Sequence, residues 1–591
     1  MSPTRRDGLR RRHVLCGASA ALAASAGCLQ GFRNLAGRRR SSPLSLSIKT
    51  LPTDSDPYAV RIARALSSAL EAVGIETRLH PLPREELYRQ LLINHDFDLY
   101  VAPFVEGNDP DFLRPLLHSQ FVGERGRQNP FGYVDFTMDE LLDAQRRAAR
   151  EERPQVVADL LQEVVQTQPF TVVAYPDDIL ARRTDRFAGW DERPTSSLAY
   201  LSVEREDPDA TTLTALLRDV RPTRNLNPIA AEYRDRGVVT ELLYDALGRE
   251  YGGAVRPWLA TEWEWSDTDD GGLRATVGLR EASWHDGRTL TADDVAFTYR
   301  FLRDTSLGEA DAPVPAERFR GRASLVADAS VVDDRTVELA FDDTAHPAAT
   351  RALTVPILPQ HVWHERTGPA TVAGVSVDEE TTEALVWDNA DPVGSGPLRL
   401  DTLEESRRVV LAPTDDHFCR TLDGALEDVV VGPAFDRLVF QAVPSDDVAV
   451  QTIEAGDADV TATALGAGVL TKLERAAATD SAVEVATDAS PVFYHVGYNT
   501  RQAPLSNLRF RRAVARLLDR EHVVESVFDG HATAAASPLA TTDWLPDSLA
   551  WNGTDPVLPF PGEDGDLDVE RARAEFVDAG YRYHDGALHQ R

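Results

Sequence analysis

Residues 44–79 constrain the fold most, because three unlike patterns follow one another there without a gap. Residues 44–51 (LSLSIKTL) alternate apolar and polar side chains with period two, the pattern of a strand. Residues 58–72 carry apolar side chains at helical spacing, and Gly74 stands where a helix terminus favours glycine. Residues 75–79 then return to a strand pattern. Such a strand–helix–strand succession is a βαβ unit, the building block of a mostly parallel sheet, so the fold class is α/β. Residues 96–101 (DFDLYV) read as the next strand, and 136–150 and 153–167 as a helix pair. Another helix spans 291–302, opened by Thr291-Ala292-Asp293-Asp294, which caps the first turn and fills it with acids. Further helices are expected over 510–518 and 571–577, the last closed by Gly580. A chain of 591 residues exceeds one ordinary core, so two or three subdomains are expected. No repeat or long low-complexity segment is present, and the softest junction is 204–210 (EREDPDA).

Charge narrows the partners. The 95 Asp and Glu outnumber 62 Lys and Arg, giving −33, and the lysines are only Lys49 and Lys472. This surface repels phosphates and anionic lipid headgroups, so nucleic acid is excluded as a partner. An acid-rich, lysine-poor chain resembles proteins of extreme halophiles. GC-rich codon usage accounts for the missing lysines but not for the excess acids. The cysteines are Cys16, Cys28 and Cys419, too few for a disulfide framework or a cysteine-rich zinc site. Cys419 reads as a small buried hydrophobe. Neither a metal site nor a cofactor is expected.

The N-terminus reads as an address. In residues 10–28 (RRRHVLCGASAALAASAGC) a positive cluster precedes a small-residue apolar stretch over 14–26. That stretch is too short to span a bilayer and suits a signal peptide. Arg11 and Arg12, followed by His13-Val14-Leu15, resemble the twin-arginine export motif. Ser25-Ala26-Gly27-Cys28 resembles a lipobox, with Ser25 in place of the usual Leu. Lipid attachment at Cys28 would anchor the chain to the outer face of the membrane, with residues 29–42 as a polar tether.

Four stretches resemble one known family. Residues 279–302 (LREASWHDGRTLTADDVAFTYRFL) contain an H-D-G turn before a helix beginning T-A-D-D-V. Residues 393–411 (VGSGPLRLDTLEESRRVVL) supply a glycine turn and hairpin, and residues 440–460 end in IEAGDADV. Residues 494–530 carry N-T, P-L-x-N-x-R-x-R-R-A and D-R-E. Together these resemble the family 5 extracellular solute-binding proteins of ABC importers, the dipeptide, oligopeptide and nickel receptors. The resemblance implies two α/β lobes of the class II periplasmic-binding-protein type with an extra subdomain, closing on a ligand by a hinge. Most of the motif residues read as architecture: Gly287, Gly394 and Gly396 as turn formers, Asp286 as a brace, Trp284 and His285 as structural.

The order of these pieces differs from the family's. The region resembling the family's start, with Asn225-Leu226-Asn227-Pro228, lies far inside the chain. The family's last third instead lies at 44–168, and residues 567–588 resemble the helix that should immediately precede it. Joining the two ends restores the usual order, so the expectation is a circular permutation with both ends close together on the second lobe. The expected division is a signal peptide over 1–28, a tether over 29–42 and the second half of lobe two over 43–175. A crossing segment follows over 176–208, then lobe one with its extra subdomain over 209–490 and the first half of lobe two over 491–591.

The resemblance also places a site. In residues 102–112 (APFVEGNDPDF), Glu106 stands three residues before D-P-D, where relatives carry a carboxylate that meets the ligand's α-ammonium. Glu replaces the usual Asp, and Pro103 replaces a Trp. Asn108 belongs to the same loop, while Asp109 and Asp111 read as shaping residues. Tyr498 and Asn499 lie on a strand end that enters the cleft in relatives, and Phe104 and Tyr133 are candidate aromatic walls. The implied function is a monomeric receptor that delivers peptides to the importer's permease, with no catalytic residues. A nickel–chelate receptor is the alternative within the family, and an exported hydrolase the alternative outside it. No G-x-S-x-G, H-E-x-x-H or P-loop motif supports the hydrolase. Residues 267–271 (DTDDG) are better read as a hairpin turn than a calcium loop, since Gly278 stands where the bidentate Glu belongs.

Overall fold

A computed structural model describes residues 42–590 apart from 106, 125, 191, 232–236, 269–271, 373–374 and 377–380. Arg11, Arg12 and Cys28 lie outside the described residues, and so does Glu106.

The opening βαβ unit is present. Strand β1 (Ser45–Thr50) is followed by helix α1 (Pro57–Ala72) and strand β2 (Glu76–Pro81), which runs parallel to β1. Asp56 caps α1 by accepting from the Tyr58 and Ala59 amides, and Pro57 occupies the first turn, where its missing N–H costs nothing. Gly74 leaves the helix at φ +88°, as a C′ glycine does. The next strand, β3 (Leu99–Val105), starts later and runs further than the 96–101 pattern predicts. His95 at φ 50° turns the chain there, and Pro103 is tolerated inside the strand opposite Tyr494. Helices α2 (Phe136–Arg147) and α3 (Arg153–Thr167) form the expected pair.

Strand β4 (Phe170–Arg183) is the pivot of the molecule. With 14 residues it belongs to a sheet of twelve strands. Its first half pairs with β5 (Val492–Tyr498), which also pairs antiparallel to β3. Its second half pairs with Val483–Ala489 and reaches the Val460–Thr461 strand. The sheet thus runs from the β3–β1–β2 edge, through β4, to Thr212–Leu217 and the hairpin of Leu398–Glu404 with Arg408–Pro413. A separate antiparallel sheet of four strands includes the hairpin Ala260–Asp267 and Leu273–Leu279. Residues 269–271 of its turn lie outside the described residues.

Two principal cores flank the pivot. The terminal lobe has a core drawn from both ends of the chain, Leu44 to Tyr175 and Phe493 to Leu588. The central lobe has a core drawn from Phe187 to Ala462, and a smaller cluster around Ile179, Leu216 and Leu473 bridges the strands beside β4. Because the first and last segments share one core, the described ends are adjacent. The Leu44 amide donates to the Leu588 carbonyl at 2.8 Å, and the Leu588 amide to that of Gly74 at 2.8 Å.

The H-D-G motif is architecture. Gly287 turns the chain at φ +87°, and its amide donates to the Trp284 carbonyl. Asp286 accepts from the Arg288 amide at 3.1 Å and meets His361 Nε2 at 2.9 Å. Thr291 and Asp294 form a capping box on the helix Ala292–Arg303. Gly394 and Gly396 serve a different end from the expected turns, for neither has a positive φ. A Cβ on Gly394 would lie 1.8 Å from the Leu243 carbonyl oxygen, and one on Gly396 would lie 2.4 Å from that of Leu242. They are glycines because this strand start packs directly on the C-terminal turn of helix Val238–Leu243. Cys419 is a free, buried thiol.

An aromatic cluster between β3, β4 and β5 surrounds His495. Phe104, Phe131, Phe170, Phe493 and Tyr100 all lie within ring-contact distance of its imidazole. Burial pushes the His495 pKa down to about 3, so the ring is neutral in the folded protein. Below the ordinary histidine range the unfolded chain then binds one more proton than the folded one. Stability therefore falls as pH drops from about 6.5 toward 3, by about 3 kcal/mol at pH 4 from this residue alone. Denaturant titrations from pH 7 to 4 are expected to show that slope, and His495→Gln is expected to flatten it by the same amount.

Candidate functional site

A cavity of about 580 Å³ lies between the two lobes. The terminal lobe contributes the end of β3 and the loop after it, with Phe104, Gly107, Asn108, Asp111 and Phe112, followed by Leu116 and Gln128. The central lobe contributes Glu241, Tyr244, Arg249, Glu250, Arg351 and the segment from Glu317 to Arg322. Residues Thr195–Leu198, in the chain that follows β4, close one side.

The loop after β3 is held from behind by two buried ion pairs. Asp109 caps the short helix Pro110–Phe112 by accepting from the Asp111 amide. It also receives a bidentate grip from Arg153 on α3, at 2.7 Å to each oxygen. Burial alone would raise the Asp109 pKa, but the Arg153 guanidinium outweighs it and holds the carboxyl below its ordinary range. Asp111 is gripped in the same way by Arg146 on α2, with Nη2 at 2.7 Å, and Gln145 donates to the same carboxylate. The D-P-D acids therefore shape the loop, as the sequence implied, and their charges are already matched.

The opposite wall is charged as well. Arg351 donates to Glu250 at 2.7 Å. Burial would weaken its proton affinity, but Glu250, Asp109 and Asp111 more than restore it. Arg351 is thus a central-lobe cation facing terminal-lobe carboxylates. Arg249 lies over the Trp258 ring and donates to Ser197 Oγ and the Glu241 carbonyl, both at 2.7 Å.

The lobes are clasped along one rim. Arg320 donates to both oxygens of Glu124 at 2.9 and 2.8 Å and lies over the Phe121 ring. Gln128 donates to the Glu317 carbonyl at 2.9 Å, and Arg146 to that of Gly321 at 3.2 Å. Each contact joins the terminal lobe to one short central-lobe segment, so the lobes stand closed on that side.

Among the sequence-derived candidates, Phe104 and Asn108 line the cavity. Phe104 also contacts the rings of Phe112 and Phe493, and the Asn108 carbonyl accepts from Trp544 Nε1 at 3.2 Å. Tyr133, Tyr498 and Asn499 are placed elsewhere. Tyr498 is fully buried, with its hydroxyl 2.6 Å from that of Thr171. Asn499 is spent on the His95 and Phe97 carbonyls, and buried Tyr133 packs beneath Arg511. All three side chains are thus buried within the terminal lobe. The cleft arginines and glutamates were not anticipated, because one Arg among so many in an acid-rich chain carries no local signal. No cluster of His, Cys, Asp or Glu that could hold a metal ion occurs among the described residues. Nor is any helix there long and apolar enough to cross a membrane.

The oligopeptide-binding protein AppA of Bacillus subtilis is 25% identical over 280 residues, covering 46% of this chain and 44% of AppA. Probable di/tripeptide-binding protein 5 of Pseudomonas aeruginosa is 26% identical over 302 residues, covering 49% and 52%. The chain thus matches about half the length of these curated relatives. The solved structure of AppA in complex with a nonapeptide superimposes with a TM-score of 0.44 at 20% identity, covering 64% of this chain and 65% of AppA. NikZ of Campylobacter jejuni, solved with Ni(L-His), gives 0.43 at 17% identity, covering 65% and 66%. The family model of bacterial extracellular solute-binding proteins, family 5, matches residues 254–589, which is more than half of the sequence. The chain belongs to that family of extracellular solute-binding proteins.

Proposed function

We propose that this chain is an exported receptor that encloses a peptide between its lobes and presents it to an ABC importer. The observation that carries this reading is the inter-lobe cavity itself. Its 580 Å³ falls within the range of small-ligand sites, and its walls combine aromatic rings with charged and amide groups. Relatives named for oligopeptide and di- or tripeptide binding add support. Glu106 is the residue proposed to meet the ligand's α-ammonium, with Phe104 and Asn108 beside it. Glu106→Gln is expected to weaken peptides with a free amino terminus by about tenfold, the loss of one charge-assisted contact, and N-acetylated peptides hardly at all. Titration calorimetry with matched pairs decides it, and equal weakening of both would remove Glu106 from that role.

The chain order is proposed to be a circular permutation. The shared core of the two end segments and the Leu44–Leu588 hydrogen bond support it, because joining those ends needs only a short exposed link. On this reading residues 43–175 and 491–591 form lobe two, 209–490 form lobe one, and 176–208 cross between them. Twin-arginine export through Arg11 and Arg12 and lipidation at Cys28 would then tether the receptor by lobe two. The acid-rich, lysine-poor composition supports a salt-loving host.

A further inference from the structure

Among the described residues, most charges lining the cleft are matched by a neighbour, and one is not. Arg351 has Glu250, and Arg249 has Ser197 and the Glu241 carbonyl. Glu241 Oε2 itself accepts from Ser197 Oγ at 2.9 Å. Arg322 has only a marginal bond from Nη1 to the Thr354 carbonyl, at 3.5 Å. Among the described residues no carboxylate lies within ion-pairing distance of it. Its surroundings make that isolation costly. Burial disfavours its charge and Arg351 close by adds like-charge repulsion, which Glu250, Glu241 and Asp109 offset only in part from beyond ion-pairing distance. A guanidinium does not deprotonate to escape, so it stays a cation with unused donors facing a cavity.

We infer that Arg322 is an anion subsite of the cleft, which takes a carboxylate carried by the ligand. This rests on the peptide reading and adds the chemistry of one end of the site. A guanidinium offers two parallel donors to a carboxylate, and a partly dehydrated wall strengthens such a pair relative to water. The position suits selection. Arg322 ends the same short segment, Glu317 to Arg322, whose Gly321 carbonyl and Arg320 side chain clasp the terminal lobe. A ligand carboxylate on Arg322 would therefore sit beside the clasp and favour closure through the segment that makes it. The anion could be a peptide's C-terminal carboxylate or an acidic side chain, which share this chemistry.

Calorimetric titration of the full chain with four tetrapeptides separates these sources. They are tetra-alanine, its C-terminal amide, and the same pair with one internal Ala replaced by Glu. The wild type is expected to prefer peptides bearing the recognised carboxylate by about tenfold or more, the effect of one charge-assisted contact. Arg322→Gln should abolish that preference while leaving the affinity of the carboxylate-free amide within about twofold, and Arg322→Lys should retain part of it. Preference for tetra-alanine over its amide assigns the C-terminus, and preference for the Glu amide over the Ala amide assigns a side chain. A wild type indifferent to carboxylates, or a Gln variant weakened equally toward all four, would overturn the subsite. If no peptide binds, the peptide reading fails separately, and the subsite is judged by thermal shift. Succinate but not succinamide should stabilise the wild type and not the Gln variant, and no difference there also overturns it.

Discussion

Arg153→Met is expected to lower stability by about 3–5 kcal/mol and to abolish ligand binding at the temperature where the wild type still binds. Arg153 is 2% exposed, and its removal would leave the Asp109 carboxylate buried without a counter-charge. The same side chain also donates to Gln145 at its carbonyl and its amide oxygen and lies under Trp544. Its loss therefore frees the loop that follows Phe104 and carries Asn108 and the cleft floor. The pH dependence gives a second readout. In the wild type Asp109 has a depressed pKa, so the pair's contribution is full at neutral pH and is lost as pH falls through that depressed value. In the variant the carboxyl should instead be pushed up by burial, so the deficit shrinks as pH falls and Asp109 takes up a proton. Removing both charges with Arg153→Met and Asp109→Leu should cost less than Arg153→Met alone. Denaturant midpoints of the three variants, measured at neutral and acid pH, check each part.

Gly394→Ala is the second large effect, expected at about 3 kcal/mol or more, because its methyl would overlap the Leu243 carbonyl oxygen. Backbone, not a movable side chain, is in the way, so helix Val238–Leu243 must shift, and Thr240 and Glu241 of that helix line the cleft. Ligand affinity should fall with stability. Gly287→Ala makes the contrast. A methyl there meets nothing within 4 Å, and only the left-handed φ of +87° is strained, at about 1–2 kcal/mol with binding unchanged. Thermal unfolding and calorimetric affinity of the two variants separate the mechanisms.

These two glycines also show how far the sequence could be read. Gly287 was legible as a turn because H-D-G is a local signal, and the turn is local. Gly394 was legible as a required glycine but not for the right reason, since its constraint comes from a helix 150 residues earlier. Helices with caps and periodic apolar faces, such as α1 and Ala292–Arg303, stand within a residue or two of their expected bounds. Strand β3 was harder, because Pro103 argues against a strand until Tyr494 is known to lie opposite. The site divided along the same line. Phe104 ends a strand, and Asn108 belongs to the loop after it, which has a recognisable D-P-D signature. Arg249, Arg322 and Arg351 are scattered through the central lobe and meet only when the two lobes face each other. The burial of Tyr498 and Asn499 was not legible, because a strand end near a cleft and a strand end buried beside it have the same local sequence.

The most direct test of a peptide receptor is native mass spectrometry of the full chain, purified in concentrated salt without denaturation and exchanged rapidly into volatile buffer. A series of bound masses resolving into peptides, retained by the wild type and lost from Arg153→Met, is the predicted result. A single non-peptide adduct such as a nickel chelate, or a chain that stays bare when peptides are added in excess, would contradict it.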